Sequence, residues 1–203
     1  IAKVAQCVDQ CLQLHFVEIL GTLTGLVYVL YSIRQKRILW VFGGISSILY
    51  IIVFFQAGLF AYMTLYFYYV GVSLYGWIYW NKKKDGTSGT LRVTRLKPRL
   101  WLLAGVVFLV LFLALFFILD LTANADIAWA DALLTSGSIV ATWLLMRKVI
   151  DHWLLWIGID LFSGLVSLYK GLPFAAALFF IYTLLAIKGF AEWRKDLIRS
   201  TQT

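Results

Sequence analysis

The sequence predicts an all-α polytopic membrane protein with seven transmembrane helices, in which one helix joins two parallel three-helix repeats. Three observations predict this class: an apolar composition, a series of long apolar runs and an internal repeat. Hydrophobic residues make up 62% of the 203 residues, charged residues make up 14%, and the mean hydropathy is +0.86. Because soluble domains carry about a quarter charged residues, lipid is expected to be the main solvent of this chain.

Seven apolar runs approach the roughly 20 helical residues that cross a bilayer core, and their short connectors leave no room for a soluble domain. The runs are residues 16–33, 38–55, 60–80, 100–119, 127–146, 153–168 and 173–193. The predicted domains are an amphipathic segment (1–15), a first bundle (16–81), a basic loop (82–98), a linker helix (99–121), a second bundle (127–194) and a tail (195–203).

Positive charge falls on alternate connectors, and this pattern predicts the orientation. Most cations lie at residues 34–37, 82–99, 147–148 and 194–199, whereas the opposite side carries Asp9, Asp120 and Asp126 with only Lys3 and Lys170 for balance. Under the positive-inside rule the basic side faces the cytoplasm, with the N-terminus outside and the C-terminus inside. Orientation and anionic lipid account for the net charge of +8, so membrane lipid is an expected partner and nucleic acid is not.

Cys7, Cys11 and His15 recur at steps of four residues near the start of the chain. The spacing is compatible with a metal site. A helix that lies on the membrane surface explains the same amphipathic pattern more simply, so we predict no metal, no disulfide and no cofactor.

An internal repeat appears when the sequence is compared with itself at an offset of 113 residues, without a gap. Each copy is three helices long, and the intervening helix restores the orientation of the second copy. Parallel repeats recur in small transporters, with the substrate held between the halves near the midplane; a merely structural duplication is the alternative. The matches include Trp40 with Trp153, Gly58 with Gly171, Tyr69 with Tyr182, Gly76 with Gly189 and Trp80 with Trp193.

The sixth run carries an acidic group, Asp160, near its middle. An ionisable side chain inside a span costs several kcal/mol unless it meets a partner or water, so it is a functional candidate. Spacings of three and four residues place it on one helical face with two indoles and two hydroxyls. This face, which we expect to look inward, comprises Trp153, Trp156, Asp160, Ser163 and Ser167.

The first copy presents a matching face with different chemistry. Where the second copy has Trp156, the first has Gly43, an asymmetry that would shape a pocket. Aromatic walls and hydroxyls suit a planar ligand with polar arms. The candidate substrate residues here are Trp40, Ser47 and Tyr50 on the second run, Gln56 at its end, and Tyr66 and Tyr69 on the third.

Each of these residues also has a structural interpretation. Trp153 lies at the end of its span, where indoles gather at the lipid interface whether or not a ligand is present. Asp160 can pair with a neighbouring helix, and Gln56 can belong to a loop. Trp156 lies one turn deeper than Trp153 on the face of Asp160, which favours a ligand role.

Two sequence elements resemble the PnuC family of vitamin transporters over essentially the whole chain. One is the run from Trp153 to Asp160, followed by residues 169–172, Gly189 and Trp193; the other is residues 74–77 with Trp80. The resemblance implies a fold related to the SWEET sugar transporters and a location in the bacterial inner membrane. It also implies facilitated diffusion of nicotinamide riboside, with thiamine or riboflavin as alternative substrates and trapping by a cytosolic kinase. It places Trp153 and Trp156 in the substrate region, with Asp160 and Gln56 nearby.

Three functions are considered for this sequence: a uniporter, an intramembrane enzyme acting on lipid, and a binding module that needs an energising partner. The repeat, the polar face and the resemblance favour the uniporter. An enzyme would need a nucleophile, a base or metal ligands that converge within the bilayer, and no catalytic set is visible. A homo-oligomer is left open.

Overall fold

A computed structural model describes the backbone of residues 2–56, 60–81, 91–122 and 127–202, and the side chains of 16–17, 19–56, 63–81, 91–121 and 127–199. Within these residues the chain forms seven α-helices, which confirms the predicted fold class. They are α1 (Ala2–Ile33), α2 (Leu39–Gln56), α3 (Phe60–Asn81), α4 (Pro98–Thr122), α5 (Ala128–Met146), α6 (His152–Tyr169) and α7 (Pro173–Gln202).

Five of these helices are long and apolar enough to cross a membrane: Leu39–Gln56, Pro98–Leu121, Ala128–Met146, His152–Tyr169 and Pro173–Arg199. α1 contains the apolar stretch Ile19–Ile33, and α3 is rich in tyrosine, which lowers its hydropathy. The α1 backbone is helical from Ala2 onwards. The side chains of residues 2–15 lie outside the description, so their predicted place on the membrane surface and the absence of a metal there stay predictions.

The chain divides into two compact units, residues 1–82 and 83–203. In the first unit α2 packs against both α1 and α3; in the second, α6 packs against both α5 and α7. This shared packing order agrees with the sequence repeat. The linker helix α4 packs against α5 and so belongs to the second unit.

Corresponding positions in the two units adopt the same unusual local structures. The connector before the middle helix contains a left-handed residue in each copy, Gln35 (φ 53°) and Lys148 (φ 58°). Left-handed backbone is uncommon outside glycine, so its recurrence at matching positions is strong support for a duplicated unit.

In the second unit the extended segment of residues 91–97 docks on the connector between α5 and α6. The backbone N–H of Thr94 donates to the Lys148 carbonyl (3.1 Å), and Ile150 N–H donates to the Thr94 carbonyl (2.9 Å). Leu96 N–H donates to Asp151 Oδ2 (2.7 Å). Leu96 itself is buried in a cluster with Val140, Leu144 and Val149. Part of the predicted basic loop is therefore fixed to the bundle by hydrogen bonds and apolar packing.

Lys148 secures the start of this segment, because its ammonium donates to the Leu91 carbonyl at 2.7 Å. Burial lowers the pKa of Lys148 from 10.5 to about 8, and the Asp196 carboxylate opposes that shift. A lowered pKa means that between about pH 8 and 10.5 the unfolded chain binds more protons than the folded chain. Stability contributed through this group should therefore rise with pH across this window and be flat below it.

Thermal unfolding from pH 7 to 10.5, compared between the parent chain and Lys148→Met, tests this expectation. The difference in melting temperature between the two proteins should move in favour of the parent as the pH rises. Curves that stay parallel over the whole range would show that Lys148 does not titrate in this window.

Candidate functional site

The polar face of α6 is built as its spacing predicts. Asp160 is 7% exposed, Ser163 and Ser167 are buried, and Trp156 is half-buried one turn before the carboxylate. The helix ends in a Schellman motif: Gly171 has φ 72°, its N–H donates to the Leu168 carbonyl, and Leu172 N–H donates to the Ser167 carbonyl. Only glycine adopts this conformation without strain, which explains why the helix stops there.

The Asp160 carboxylate has no hydrogen-bond donor and no cation within 4 Å among the side chains and backbone groups that the structure describes. A buried charge normally has a partner, because removing a carboxylate from water without compensation costs several kcal/mol. Asp160 therefore differs from Asp151, which accepts a backbone hydrogen bond. A buried acidic group that lacks a partner in the described part of the chain is suited to holding a cationic ligand or a proton.

Trp153 lies on the same helix but is committed to packing within its bundle. Its side chain is 3% exposed and meets the Trp193 ring edge to face, with centroids 5.9 Å apart. A Cβ at Gly189 would lie 2.5 Å from the Trp153 ring, so the indole lies directly on the glycine backbone. Helix packing is therefore a structural role for Trp153, and its predicted contact with substrate stays a prediction.

Trp40 has the same environment in the first unit. It is 2% exposed, meets Trp80 edge to face at 5.5 Å, and lies against Gly76, where a Cβ would come within 2.5 Å. In both copies of the repeat, one tryptophan thus packs on a glycine and against a second tryptophan. The sequence match contained all six residues, but their contact was not predicted from it.

The tyrosines predicted in the first unit do come together. Tyr50 packs against Tyr66 with ring centroids 5.1 Å apart, and Tyr66 meets Tyr69 edge to face at 5.5 Å. Phe54 joins them, at 5.9 Å from Tyr50 and 5.3 Å from Tyr66. The Tyr50 hydroxyl is hydrogen-bonded to Thr22 on α1 at 2.9 Å. These half-buried rings form a continuous aromatic surface on α2 and α3.

The other predicted residues of the first unit are less well placed for a ligand. The Ser47 hydroxyl donates to the Gly43 carbonyl of its own helix (2.7 Å), and Gln56 is exposed at the last residue of α2. The space beside Gly43 is not open within this unit, because a Cβ there would lie 2.9 Å from the Tyr28 ring. Tyr28 thus fills the space beside Gly43 in which the sequence predicted a pocket.

Tyr28 and Asp151 are the residues that sequence reasoning missed. At the repeat offset Tyr28 corresponds to Ala141, and Gly43 corresponds to Trp156. The first copy therefore has a large residue followed by a small one, and the second copy has a small residue followed by a large one. That exchange was a visible signal for Tyr28. Asp151 offered only its position after a pair of loop cations.

Comparison with known proteins identifies the family. The sequence profile of the nicotinamide mononucleotide transporter family matches residues 15–195. The nicotinamide riboside transporter PnuC of Escherichia coli is 27% identical over 205 residues, covering 89% of this chain and 85% of that protein. The riboflavin/roseoflavin transporter RibM of Streptomyces davaonensis is 25% identical over 184 residues, covering 87% and 83%.

A solved structure has the same fold. The crystal structure of a vitamin B3 transporter PnuC superposes with a TM-score of 0.72 at 23% sequence identity, covering 91% of this chain and 83% of that one. The predicted resemblance is confirmed by the profile, the relatives and the fold. The prediction that the chain is not an enzyme is also confirmed. With its apolar helices and a profile match over most of its length, this chain is a multi-pass inner-membrane transporter and belongs to the nicotinamide mononucleotide transporter family, that of the PnuC proteins.

Proposed function

We propose that this transporter takes up nicotinamide riboside by facilitated diffusion across the bacterial inner membrane, with its C-terminus in the cytoplasm. The observation that carries the proposal is Asp160, a buried carboxylate that finds no partner among the described residues and lies on the same helical face as Trp156. Nicotinamide riboside has a flat pyridinium cation and a ribose. An indole face attracts a cation, a carboxylate neutralises its charge, and nearby hydroxyls such as Ser163 suit a sugar.

The similarity to PnuC of Escherichia coli supports this substrate, since that relative is a nicotinamide riboside transporter. Trp156 and Asp160 are the proposed centre of the site. Trp40, Ser47, Tyr50, Gln56, Tyr66, Tyr69 and Trp153 remain proposed substrate residues, among which the aromatic surface of Tyr50, Tyr66 and Tyr69 is the best supported by geometry.

Uptake into proteoliposomes tests the transport step. Vesicles that contain the purified protein should accumulate labelled nicotinamide riboside down its gradient and exchange it with unlabelled substrate, without ATP or another protein. A dependence on ATP and a partner subunit would favour the binding-module alternative. Failure of nicotinamide riboside, thiamine and riboflavin alike would refute the carrier assignment.

Riboflavin is the second candidate, favoured by the likeness to RibM. Its ring system is neutral, so a carboxylate near the ring contributes little to its binding. Thiamine carries a cationic aromatic ring, as nicotinamide riboside does, and only a direct comparison separates these two. Equilibrium binding of all three to the purified protein ranks them, and we expect the cationic ligands to bind more tightly.

Replacing Trp156 by alanine should raise the dissociation constant for nicotinamide riboside about fivefold, since aromatic stacking contributes about 1 kcal/mol beyond area burial. Trp101→Ala is the matched control, because Trp101 is 40% exposed on α4 and bears no proposed role in substrate binding. Isothermal titration of both variants measures the effect. Equal affinity in the two variants would remove Trp156 from the site.

A further inference from the structure

The docked segment and the first turn of α4 display four exposed cations, Arg92, Arg95, Lys97 and Arg99. Between them Val93 and Leu96 are buried, at 7% and 9% exposed. A residue of extended chain spans about 3.3 Å, so the four side chains start from backbone positions within a short stretch. We call this set the basic edge. It lies entirely within the second unit.

The basic edge is held in a fixed shape. The hydrogen bonds from Leu96 to Asp151 and between Thr94 and the α5–α6 connector fasten the backbone on which the cations stand. The cations themselves are largely uncommitted: within the described part of the chain only Arg95 lies near a carboxylate, with Nε 3.9 Å from Asp151 Oδ1. A preorganised group of four cations, of which only Arg95 lies near a described carboxylate, is suited to binding anions.

The position of the basic edge next to the apolar span of α4 indicates which anion it would bind. The apolar span of α4 begins at Pro98, so when this helix crosses a bilayer Lys97 and Arg99 are expected at the boundary of the hydrocarbon layer. Immediately after them Leu100, Trp101 and Leu102 are 45%, 40% and 76% exposed. Exposed apolar side chains next to an interfacial tryptophan match lipid tails, and the cations then lie at the height of phospholipid headgroups.

We propose that the basic edge is a binding site for an anionic phospholipid of the adjacent leaflet, whose phosphodiester contacts Arg92, Lys97 and Arg99 while its acyl chains lie along α4. The occupant is a lipid and not free phosphate, because the cations adjoin an exposed apolar helix face that a free ion would leave unused.

Native mass spectrometry of the purified full chain with dioleoyl phosphatidylglycerol, dioleoyl phosphatidylcholine or inorganic phosphate tests the site. Phosphatidylglycerol should bind more tightly than phosphatidylcholine. The triple variant Arg92→Gln, Lys97→Gln, Arg99→Gln should lose at least about tenfold in that affinity, since each cation near an anionic surface contributes roughly fivefold. The control Arg194→Gln, Lys195→Gln, Arg199→Gln removes the same charge from the exposed end of α7 and should keep the affinity.

A second variant distinguishes a site of fixed geometry from general charge attraction, because the two predict opposite changes in the affinity for phosphatidylglycerol. Asp151→Ala deletes an acid and releases the segment, while every cation of the basic edge remains. General attraction predicts tighter binding of phosphatidylglycerol, because the net charge increases; a fixed site predicts weaker binding. Thermal unfolding of each variant without lipid verifies that the bundle is folded.

The proposal would be overturned by equal losses in the two triple variants, by tighter binding to Asp151→Ala, or by equal binding of the two lipids. Displacement of phosphatidylglycerol by equimolar inorganic phosphate would assign the site to a free anion and would also overturn it.

Discussion

Replacing Asp160 by asparagine is expected to weaken binding and uptake of nicotinamide riboside by at least about tenfold. The two side chains have nearly the same shape, so the variant removes the negative charge and leaves the packing of α6 in place. At 7% exposure the carboxylate is little screened by water. A pair of unit charges 4 Å apart interacts by about 4 kcal/mol at an effective dielectric constant of 20. A tenfold loss of affinity corresponds to about 1.4 kcal/mol, so losing only part of this interaction accounts for it.

Binding and initial uptake rates of the parent chain and the variant measure this effect, with Asp120→Asn as the matched control. Asp120 is exposed near the end of α4, and its replacement should leave both quantities unchanged. Riboflavin adds a second comparison, because a neutral ring should be affected far less than a cation. If Asp160→Asn bound nicotinamide riboside as well as the parent, Asp160 would not be its counter-charge.

Substituting alanine for Gly76 is expected to destabilise the first unit by roughly 1–3 kcal/mol, as other overpacked cores do. The new Cβ would lie 2.5 Å from Cε2 of Trp40, inside any permitted contact distance. The indole has little room to move, because it is 2% exposed and its ring is packed edge to face against Trp80. Thermal unfolding in detergent should show a clear fall in melting temperature.

Gly71→Ala in the same helix is the control for this substitution, since nothing lies within 4 Å of a Cβ at that position. It should leave the melting temperature unchanged or raise it slightly, because alanine favours helix more than glycine does. Gly189→Ala should reproduce the loss in the second unit, against Trp153. Similar melting temperatures for Gly71→Ala and Gly76→Ala would contradict the close tryptophan and glycine contact.

Trp153 and Trp156, the two tryptophans of the run that resembles the PnuC family, differ in their packing. Trp153 is enclosed by Gly189 and Trp193, whereas Trp156, three residues later, is half-buried beside Asp160, to which no described side chain is paired. Replacing Trp153 should therefore affect stability first, and replacing Trp156 should affect affinity first. Measuring both quantities for both variants separates a packing residue from a binding residue.

The sequence by itself determined that the protein lies in lipid and not in water. It also determined the seven helices, the repeat and the helical face that carries Trp156 and Asp160. These properties follow from composition and from a period of 3.6 residues, which need no knowledge of neighbouring helices. The family likeness was also carried by local motifs, such as the run from Trp153 to Asp160.

Only the tertiary structure decided which side chains cover which. It placed Tyr28 beside Gly43, packed Trp40 and Trp153 on glycines, and docked residues 91–97 on the connector that contains Lys148. Periodicity identifies a face but not the element that covers it. In a membrane this ambiguity is larger than in water, because lipid tails and apolar side chains are equally apolar, so hydropathy cannot distinguish a face that meets lipid from one that meets another helix.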